Sequence, residues 1–186
     1  DHSSPGSDCY FTGQGSNGGS LGENDVDGGT TTLVSPTYDL TGLTDPTISY
    51  YRWYNNGTGG SPGADTFTVE ISNNGGGSWS TVEVVGPTND ASGGWIQHSF
   101  LVSSIVSPTA NVQLRFMASD LGTGSIVEAA IDDLVITDES CSDCGISTYC
   151  AAGNNSTGTT AKIGWNGTSS IPFNDLVLTC SDLPNG

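Results

Sequence analysis

The sequence has very few basic residues. Only 3 of its 186 residues are Lys or Arg, whereas 20 are Asp or Glu, so the formal net charge is −17 at pH 7. Without a basic surface there is nothing to displace the counterions of a phosphate backbone, which excludes nucleic-acid binding and disfavours an anionic membrane surface. The same charge favours divalent cations, because a bound ion would relieve the repulsion between carboxylates.

Long apolar segments are also lacking, and helix-breaking residues are abundant. No apolar run reaches about 18 residues, so the sequence predicts no membrane-spanning helix. The 27 Gly and 8 Pro residues predict many short strands joined by loops. The sequence starts at Asp1 without a signal peptide, as expected of a mature, processed or excised product.

The chain has five cysteines and almost no lysine, which favours an extracellular, disulfide-permissive setting. Cys150 is expected to pair with Cys180, and Cys9 with Cys141 or Cys144, which leaves one thiol unpaired or bonded to another chain. The spacing of the last four cysteines also fits a zinc site with four thiolate ligands, but disulfides are more common in secreted chains.

Alternating apolar residues predict about eight strands up to residue 137. The segment 65–72 places Phe67, Val69 and Ile71 on one face, and Val112, Leu114 and Phe116 share a face later in the chain. The loops are too short for crossover helices, so we expect an all-β, antiparallel two-sheet jelly-roll sandwich. The predicted strands are one near Cys9 and the segments 30–35, 46–54, 65–72, 81–85, 95–102, 111–118 and 128–136.

Two local motifs stand out within this pattern. The segment Ser72 to Trp79 resembles an Asp-box hairpin turn with Asn74 in the Asp position, which predicts a folding device rather than an active site. The loop Glu23 to Gly29 offers alternating carboxylates and flexible glycines, as calcium loops do, although it lacks the EF-hand pattern.

The closing strand contains adjacent carboxylates at Asp132 and Asp133. Neighbouring residues of a strand point to opposite faces, so at least one of the two is expected to face an enclosed region. A buried carboxylate needs a counter-charge. Arg52 and Arg115 are candidate ion-pair partners for carboxylates, and for Arg52 a buried ion pair is favoured over a ligand contact.

The order of several motifs resembles a MAM-like jelly-roll domain of secreted multidomain bacterial proteins over residues 17–137. The tail from Tyr149 to Pro184 looks like the start of a second β-module. The domains expected are therefore 1–140, with an N-terminal arm at 1–20, and a Cys-containing β extension at 141–186. The motifs are Asp25-Val-Asp-Gly-Gly29, Leu33-Val-Ser-Pro36, Tyr50-Tyr-Arg-Trp53, Asp65-Thr-Phe-Thr-Val69, Ser72 to Trp79 and Ala130-Ile-Asp-Asp133.

The resemblance implies that the first and last strands lie side by side and that the sandwich holds structural Ca²⁺. Carried over to this sequence, the ligands would be Asp25, Asp27 and Asp65, with Asp132 or Asp133 and with Glu128 as a further candidate. Backbone carbonyls or water would complete the oxygen set. The alternative is that Asp132 or Asp133 pairs with one of the two arginines.

No catalytic arrangement is evident in the sequence. The only histidines are His2, in a polar terminus, and His98, in an alternating strand, and neither accompanies a nucleophile motif. Asp132 and Asp133 diverge to opposite faces, which argues against the paired carboxylates of a glycosidase. We therefore expect no enzyme activity.

The expected function is a calcium-stabilised extracellular or cell-surface structural or adhesive subunit. Residues 141–186 are too poor in large apolar side chains to form their own core. We expect them to pack on the sandwich or on a neighbouring copy, giving a homo-oligomer or filament. The alternative is a carbohydrate-binding accessory module of a secreted peptidase or glycosidase, in which Trp95, Trp165 or Tyr51 would stack on sugars.

Glycosylation is a further candidate property of this chain. Four asparagines lie in Asn-x-Ser/Thr acceptor sequences, which would place them on the surface of a secreted protein. Such sequences also arise readily by chance in a chain rich in Asn, Ser and Thr. The candidate acceptors are Asn56, Asn154, Asn155 and Asn166.

Overall fold

A computed structural model of the chain describes residues 1–138, 162–166 and 177–181. The chain divides into two compact units, Asp1–Glu139 and Ser140–Gly186. In the second unit, β9 (Lys162–Asn166) pairs antiparallel with β10 (Val177–Ser181). Among the described residues no helix is long and apolar enough to cross a membrane.

The first unit consists of eight strands and one short 3-10 helix, Val102–Ser104, in the order that the sequence predicts. The predicted strand 46–54 continues to Gly59, and the closing strand begins at Ser125, three residues earlier than predicted. The strands are β1 (Tyr10–Phe11), β2 (Gly29–Val34), β3 (Pro46–Gly59), β4 (Phe67–Ser72), β5 (Ser80–Val85), β6 (Ile96–Leu101), β7 (Gln113–Asp120) and β8 (Ser125–Asp138).

These strands form two four-stranded antiparallel sheets that pack as a sandwich. We call the sheet with strand order β1-β8-β3-β6 the first sheet, and the sheet with order β2-β7-β4-β5 the second sheet. Most neighbours in each sheet are distant in sequence, as in the Greek-key connections of a jelly roll. The predicted fold class is therefore confirmed, and the implied pairing of the first and last strands is present as β1 with β8.

The core is built from the inward-facing positions of both sheets. Phe67, Val69 and Ile71 are buried on β4, as the alternation predicts. On β7 every second residue from Leu114 onward is buried, and on β3 the buried positions are likewise every second residue. Apolar side chains removed from water in this way provide the main driving force for folding.

The turn between β4 and β5 has the predicted hairpin construction. Asn74 Oδ1 accepts hydrogen bonds from Ser72 Oγ and from the backbone N–H of Ser78, both at 2.8 Å. Ser72 Oγ in turn accepts the N–H of Gly76 at 2.9 Å. The side chains thus satisfy local donors, and the motif serves folding rather than catalysis.

Both arginines make ion pairs, and neither pairs with Asp132 or Asp133. Arg52 is 5% exposed, and its guanidinium lies 3.0 Å from Glu83 Oε2 and 3.0 Å from Asp90 Oδ2. Arg115 pairs with Glu70 on the neighbouring strand β4 and stacks 4.4 Å from the centre of the Trp79 ring. The predicted buried ion pair of Arg52 is confirmed.

Candidate functional site

Three adjacent strand termini of the second sheet bring carboxylates to one end of the sandwich. Asp120 ends β7 and pairs with Gly29, the first residue of β2. Asp27 lies two residues before Gly29, and Asp65 lies two residues before the start of β4. Because neighbouring strands are antiparallel, these termini meet at the same edge.

Asp65 is 4% exposed and only half satisfied by hydrogen bonds. Its Oδ1 accepts the backbone N–H of Leu121 at 2.8 Å. Its Oδ2 is buried and has no hydrogen-bond partner among the described residues. A buried carboxylate oxygen without a donor or a cation is energetically costly, so Asp65 Oδ2 is a candidate ligand atom for a cation.

Asp120 and Asn56 are two further buried polar residues at the same end of the sandwich as Asp65. Asp120 is 2% exposed, and its oxygens accept the N–H groups of Ser125 at 3.1 Å and Gly28 at 3.4 Å. Asn56, on β3 of the first sheet, is 1% exposed and donates from Nδ2 to the Asp65 carbonyl at 2.7 Å. Its Oδ1 is buried without a partner in the described part of the chain.

The Tyr54 hydroxyl lies near Asp65, Asn56 and Asp120. It is buried and, within the described residues, has no hydrogen-bond partner. Burial raises the pKa of Tyr54 and the charge of Asp65 raises it further, whereas the nearby Asn56 side chain opposes the rise and the charge of Asp120 adds to it. The phenol therefore remains neutral beside two carboxylates and supplies no positive charge.

The loop from Glu23 to Gly29 approaches this end of the sandwich at Val26. The backbone N–H of Val26 donates to the carbonyl of Val127 on β8 at 3.0 Å. Partial burial raises the pKa of Asp25, and the charges of Asp27 and then Asp120 add to the rise. Gly28 has a φ of 60°, which a residue with a side chain rarely adopts and which turns the loop toward Asp120.

The charge at this end of the sandwich is uncompensated. The ion pairs of Arg52 and Arg115 go to other carboxylates, and within residues 1–138 no ion pair reaches Asp65 or Asp120. Across the described ranges, no three His, Cys, Asp or Glu side chains cluster closely enough to hold a metal by themselves. An ion here would need the Asn56 amide, backbone carbonyls and water, which is the mixed oxygen set that Ca²⁺ accepts.

The structure separates the ligand set predicted from the sequence. Asp25, Asp27 and Asp65 come to one end, whereas Asp132 pairs in register with Tyr51, five residues along β3 from Asn56. Asp132 and Asp133 instead contact the N-terminal arm through His2. Glu128 follows the buried Val127 and so points to the opposite face of β8.

Asp120 and Asn56 were not predicted as ion ligands, although the sequence carries a signal for the burial of both. Asp120 continues the inward alternation of β7, and Asn56 continues that of β3 after Tyr54. A polar residue at an inward position of an apolar strand is the pattern that would have identified them.

The remaining predicted residues fall into three groups. Asn56 is the only glycosylation candidate within residues 1–138, and the prediction for it is wrong because its buried amide holds Asp65 in place. Cys9 is half-buried and forms no disulfide within the described residues. The others remain predictions: Cys141, Cys144, Cys150, Asn154 and Asn155 lie outside the described residues, and only the backbone is described for Trp165, Asn166 and Cys180.

Comparisons with known proteins give distant similarities only. No family model and no curated protein matches the sequence. Among solved structures, the K3 cleaved adhesin domain of Lys-gingipain from Porphyromonas gingivalis W83 aligns with 57% of this chain at 18% identity and a TM-score of 0.39. The alignment spans 62% of that adhesin domain, which is less than two thirds of its length.

A second solved structure, of a CBM4 carbohydrate-binding module, aligns with 59% of this chain and 73% of its own at 16% identity and a TM-score of 0.35. Neither similarity is high enough to carry an argument about ligand or activity. The fold assignment therefore depends on the strand order of the two sheets.

The raised pKa of Asp25 gives a pH prediction with a defined sign. A carboxyl group whose pKa is higher folded than unfolded destabilises the fold as pH rises through that window. In chelator, we therefore expect Asp25→Asn to melt higher than the unaltered chain, by a difference that grows as pH rises above the ordinary pKa of Asp, about 4. Saturating Ca²⁺ should reverse the sign of this difference, because the ion requires the carboxylate.

Asp39 provides the matched control for this pH series. The pKa of Asp39 is lowered by hydrogen bonds from Thr41, so its stabilising effect is lost as pH falls. Asp39→Asn should therefore lower the melting temperature at neutral pH in both buffers, and Ca²⁺ should not change the sign. Identical profiles for the two variants would contradict the placement of Asp25 beside the ion.

Proposed function

We propose that this chain is a non-catalytic extracellular module whose sandwich is stabilised by one Ca²⁺ ion, with a structural or adhesive role. The observation that carries the calcium proposal is the pair of buried, unpartnered oxygens, Asp65 Oδ2 and Asn56 Oδ1, beside the buried carboxylate of Asp120. Ca²⁺ binds about 6–8 oxygens, so Asp25, Asp27, carbonyls and water would complete the set.

The surroundings of the two histidines support the non-catalytic part of the proposal. His98 lies 3.3 Å from Glu83, which is already held by Arg52, and its ring packs against Tyr50. His2 contacts Asp132 and Asp133. In the part of the chain that is described, neither imidazole bonds to a hydroxyl or thiol that could act as a nucleophile.

Self-assembly through the C-terminal extension remains the second part of the proposal. The extension contributes one described pair of strands, β9 and β10, and its sequence has few large apolar side chains. A two-stranded ribbon is marginal alone and gains stability by joining another sheet or core. Addition to a neighbouring copy in a head-to-tail manner would produce a filament.

Assembly is tested by light scattering coupled to size exclusion, with and without Ca²⁺. We expect the full chain to form species larger than a monomer in Ca²⁺, in proportions that rise with protein concentration. A chain ending at Asp138 is the matched control and should remain monomeric. A strictly monomeric full chain under both conditions would contradict self-assembly and would leave the calcium proposal untouched.

A carbohydrate-binding accessory module is the second candidate function. It is favoured by a group of aromatic side chains on the outer face of the first sheet, where Tyr51 and Trp95 are both half-buried around the same ring of His2. Aromatic side chains with one polar edge are common in recognition surfaces.

A further inference from the structure

The N-terminal arm seats an imidazole ring on the outer face of the first sheet. The ring of His2 stacks on Tyr51 with a centroid distance of 3.5 Å and an interplanar angle of 17°. Trp95 approaches the same ring edge-on at 5.9 Å and 69°. Tyr51 points outward because its neighbours Tyr50 and Arg52 are the buried positions of β3.

Two carboxylates hold the edge of this ring and the backbone beside it. His2 Nδ1 lies 2.8 Å from Asp133 Oδ2, and the backbone N–H of His2 donates to Asp132 Oδ2 at 2.7 Å. Ser3 Oγ donates to the other oxygen of Asp133 at 2.7 Å. Asp133 has a φ of 49°, where β8 is irregular opposite β3, so both carboxylates reach the same residue on the outer face. The expectation that Asp132 and Asp133 diverge to opposite faces is therefore wrong, because the irregularity interrupts the strand alternation.

We propose that Tyr51, Trp95, Asp132 and Asp133 form a binding site for a neutral carbohydrate, and that His2 occupies this site as a competing ligand from the same chain. A pyranose ring has the features that His2 presents here, a flat face for stacking on Tyr51 and edge donors for two carboxylates. The site deepens the carbohydrate-binding candidate function and does not depend on calcium.

The space beside the carboxylates also fits a small ligand. Asp132 and Asp133 border a cavity of about 340 Å³ whose other walls are Asp8, Cys9, Tyr10, Ile131 and Leu134. This volume lies within the range of about 300–1,000 Å³ found for small-molecule sites.

The negative charge of Asp132 and Asp133 determines which sugars the site binds. Hydroxyl groups donate to the carboxylates of Asp132 and Asp133, whereas a uronic or sialic acid would place like charges a few ångströms apart. No arginine is free to offset that repulsion, because Arg52 and Arg115 pair with other carboxylates. The site therefore selects neutral over anionic sugars.

The test uses the full chain, its His2→Ala variant and a panel of hexasaccharides measured by calorimetry. The neutral probes are cellohexaose, laminarihexaose, mannohexaose and chitohexaose, and hexagalacturonate is the anionic probe. We expect at least one neutral probe to bind His2→Ala about tenfold more tightly than the unaltered chain, because the competing arm is removed. Hexagalacturonate should bind neither protein.

Two variants of Tyr51 in the His2→Ala background provide the matched pair. Tyr51→Ala should abolish binding, whereas Tyr51→Phe should retain it because the stacking ring remains. Binding that Tyr51→Ala does not weaken would overturn the proposed site. The absence of binding by any neutral probe at up to about 5 mM, with either protein, would also overturn it.

Displacement of the arm has its own signature. The chain has only two histidines, so its imidazole Cε1–H spectrum contains two signals, and His2→Ala assigns them. A neutral sugar should move the His2 signal away from its ring-stacked position while the His98 signal stays in place. The Ca²⁺ response of each variant, measured in parallel, separates failure of this site from failure of the calcium proposal.

Discussion

Asp120→Asn should abolish the response of this protein to calcium. A ligand that binds only the folded state at about 1,000 times its Kd adds about 4 kcal/mol, which raises the melting temperature of a unit of this size by about 10 °C. The substitution keeps the shape of Asp120 but removes a buried charge from the proposed ligand set. In chelator, Asp120→Asn should melt close to the unaltered chain, since removal of the uncompensated charge is offset by the loss of the acceptor for the Gly28 N–H.

Asp133→Asn is the control for this experiment, because Asp133 contacts His2 and Ser3 on the outer face of β8. Its increment with calcium should equal that of the unaltered chain when both are followed by circular dichroism. If Asp133→Asn lost the calcium response and Asp120→Asn kept it, the ion would belong at the closing strand, as the sequence resemblance implies.

Glu83→Ala should lower the free energy of unfolding by about 3–5 kcal/mol, because it leaves the buried guanidinium of Arg52 without its main partner. Glu83 also accepts the Tyr50 hydroxyl at 2.7 Å and lies 3.3 Å from His98 Nδ1. Burial raises the pKa of Tyr50, and Glu83 adds to the rise, so this hydroxyl stays protonated as a donor. Urea denaturation in saturating Ca²⁺ measures the loss.

The second Arg–Glu pair of the fold is the matched control for Glu83. Glu70 pairs with Arg115, whose side chain is 30% exposed, so Glu70→Ala should cost only about 1 kcal/mol. The double variant Arg52→Met/Glu83→Leu should recover much of the loss, because apolar side chains replace the whole ion pair. Equal losses for Glu83→Ala and Glu70→Ala would contradict the central role of the Arg52 network.

The sandwich was predictable from the sequence because its strands alternate cleanly. In β4 the buried residues Phe67, Val69 and Ile71 follow the period of two, and the Asn74 turn fixes its pairing with β5. The extension of β3 beyond Tyr54 was missed, because Asn55, Asn56 and Gly57 are typical of turns. Pairing with β8 across an irregular register keeps this segment in the sheet.

The candidate metal site was only partly predictable, for a physical reason. Asp65, Asp120 and Asn56 all extend the inward alternation of their strands, so sequence periodicity contains their burial. The side chains of Asp132 and Asp133 contact His2 of the N-terminal arm, which is 130 residues from Asp132 in the sequence. No local pattern reports a contact of that separation, so the closing strand alone could not reveal its partner.

The most direct test of the calcium proposal is an anomalous difference map from crystals grown in CaCl₂. We expect one strong peak within about 2.3–2.6 Å of Asp65 Oδ2, Asn56 Oδ1 and an oxygen of Asp120. A peak at Asp132 and Asp133 instead, or no peak at the end of the sandwich in crystals with an ordered Asp65 side chain, would contradict it.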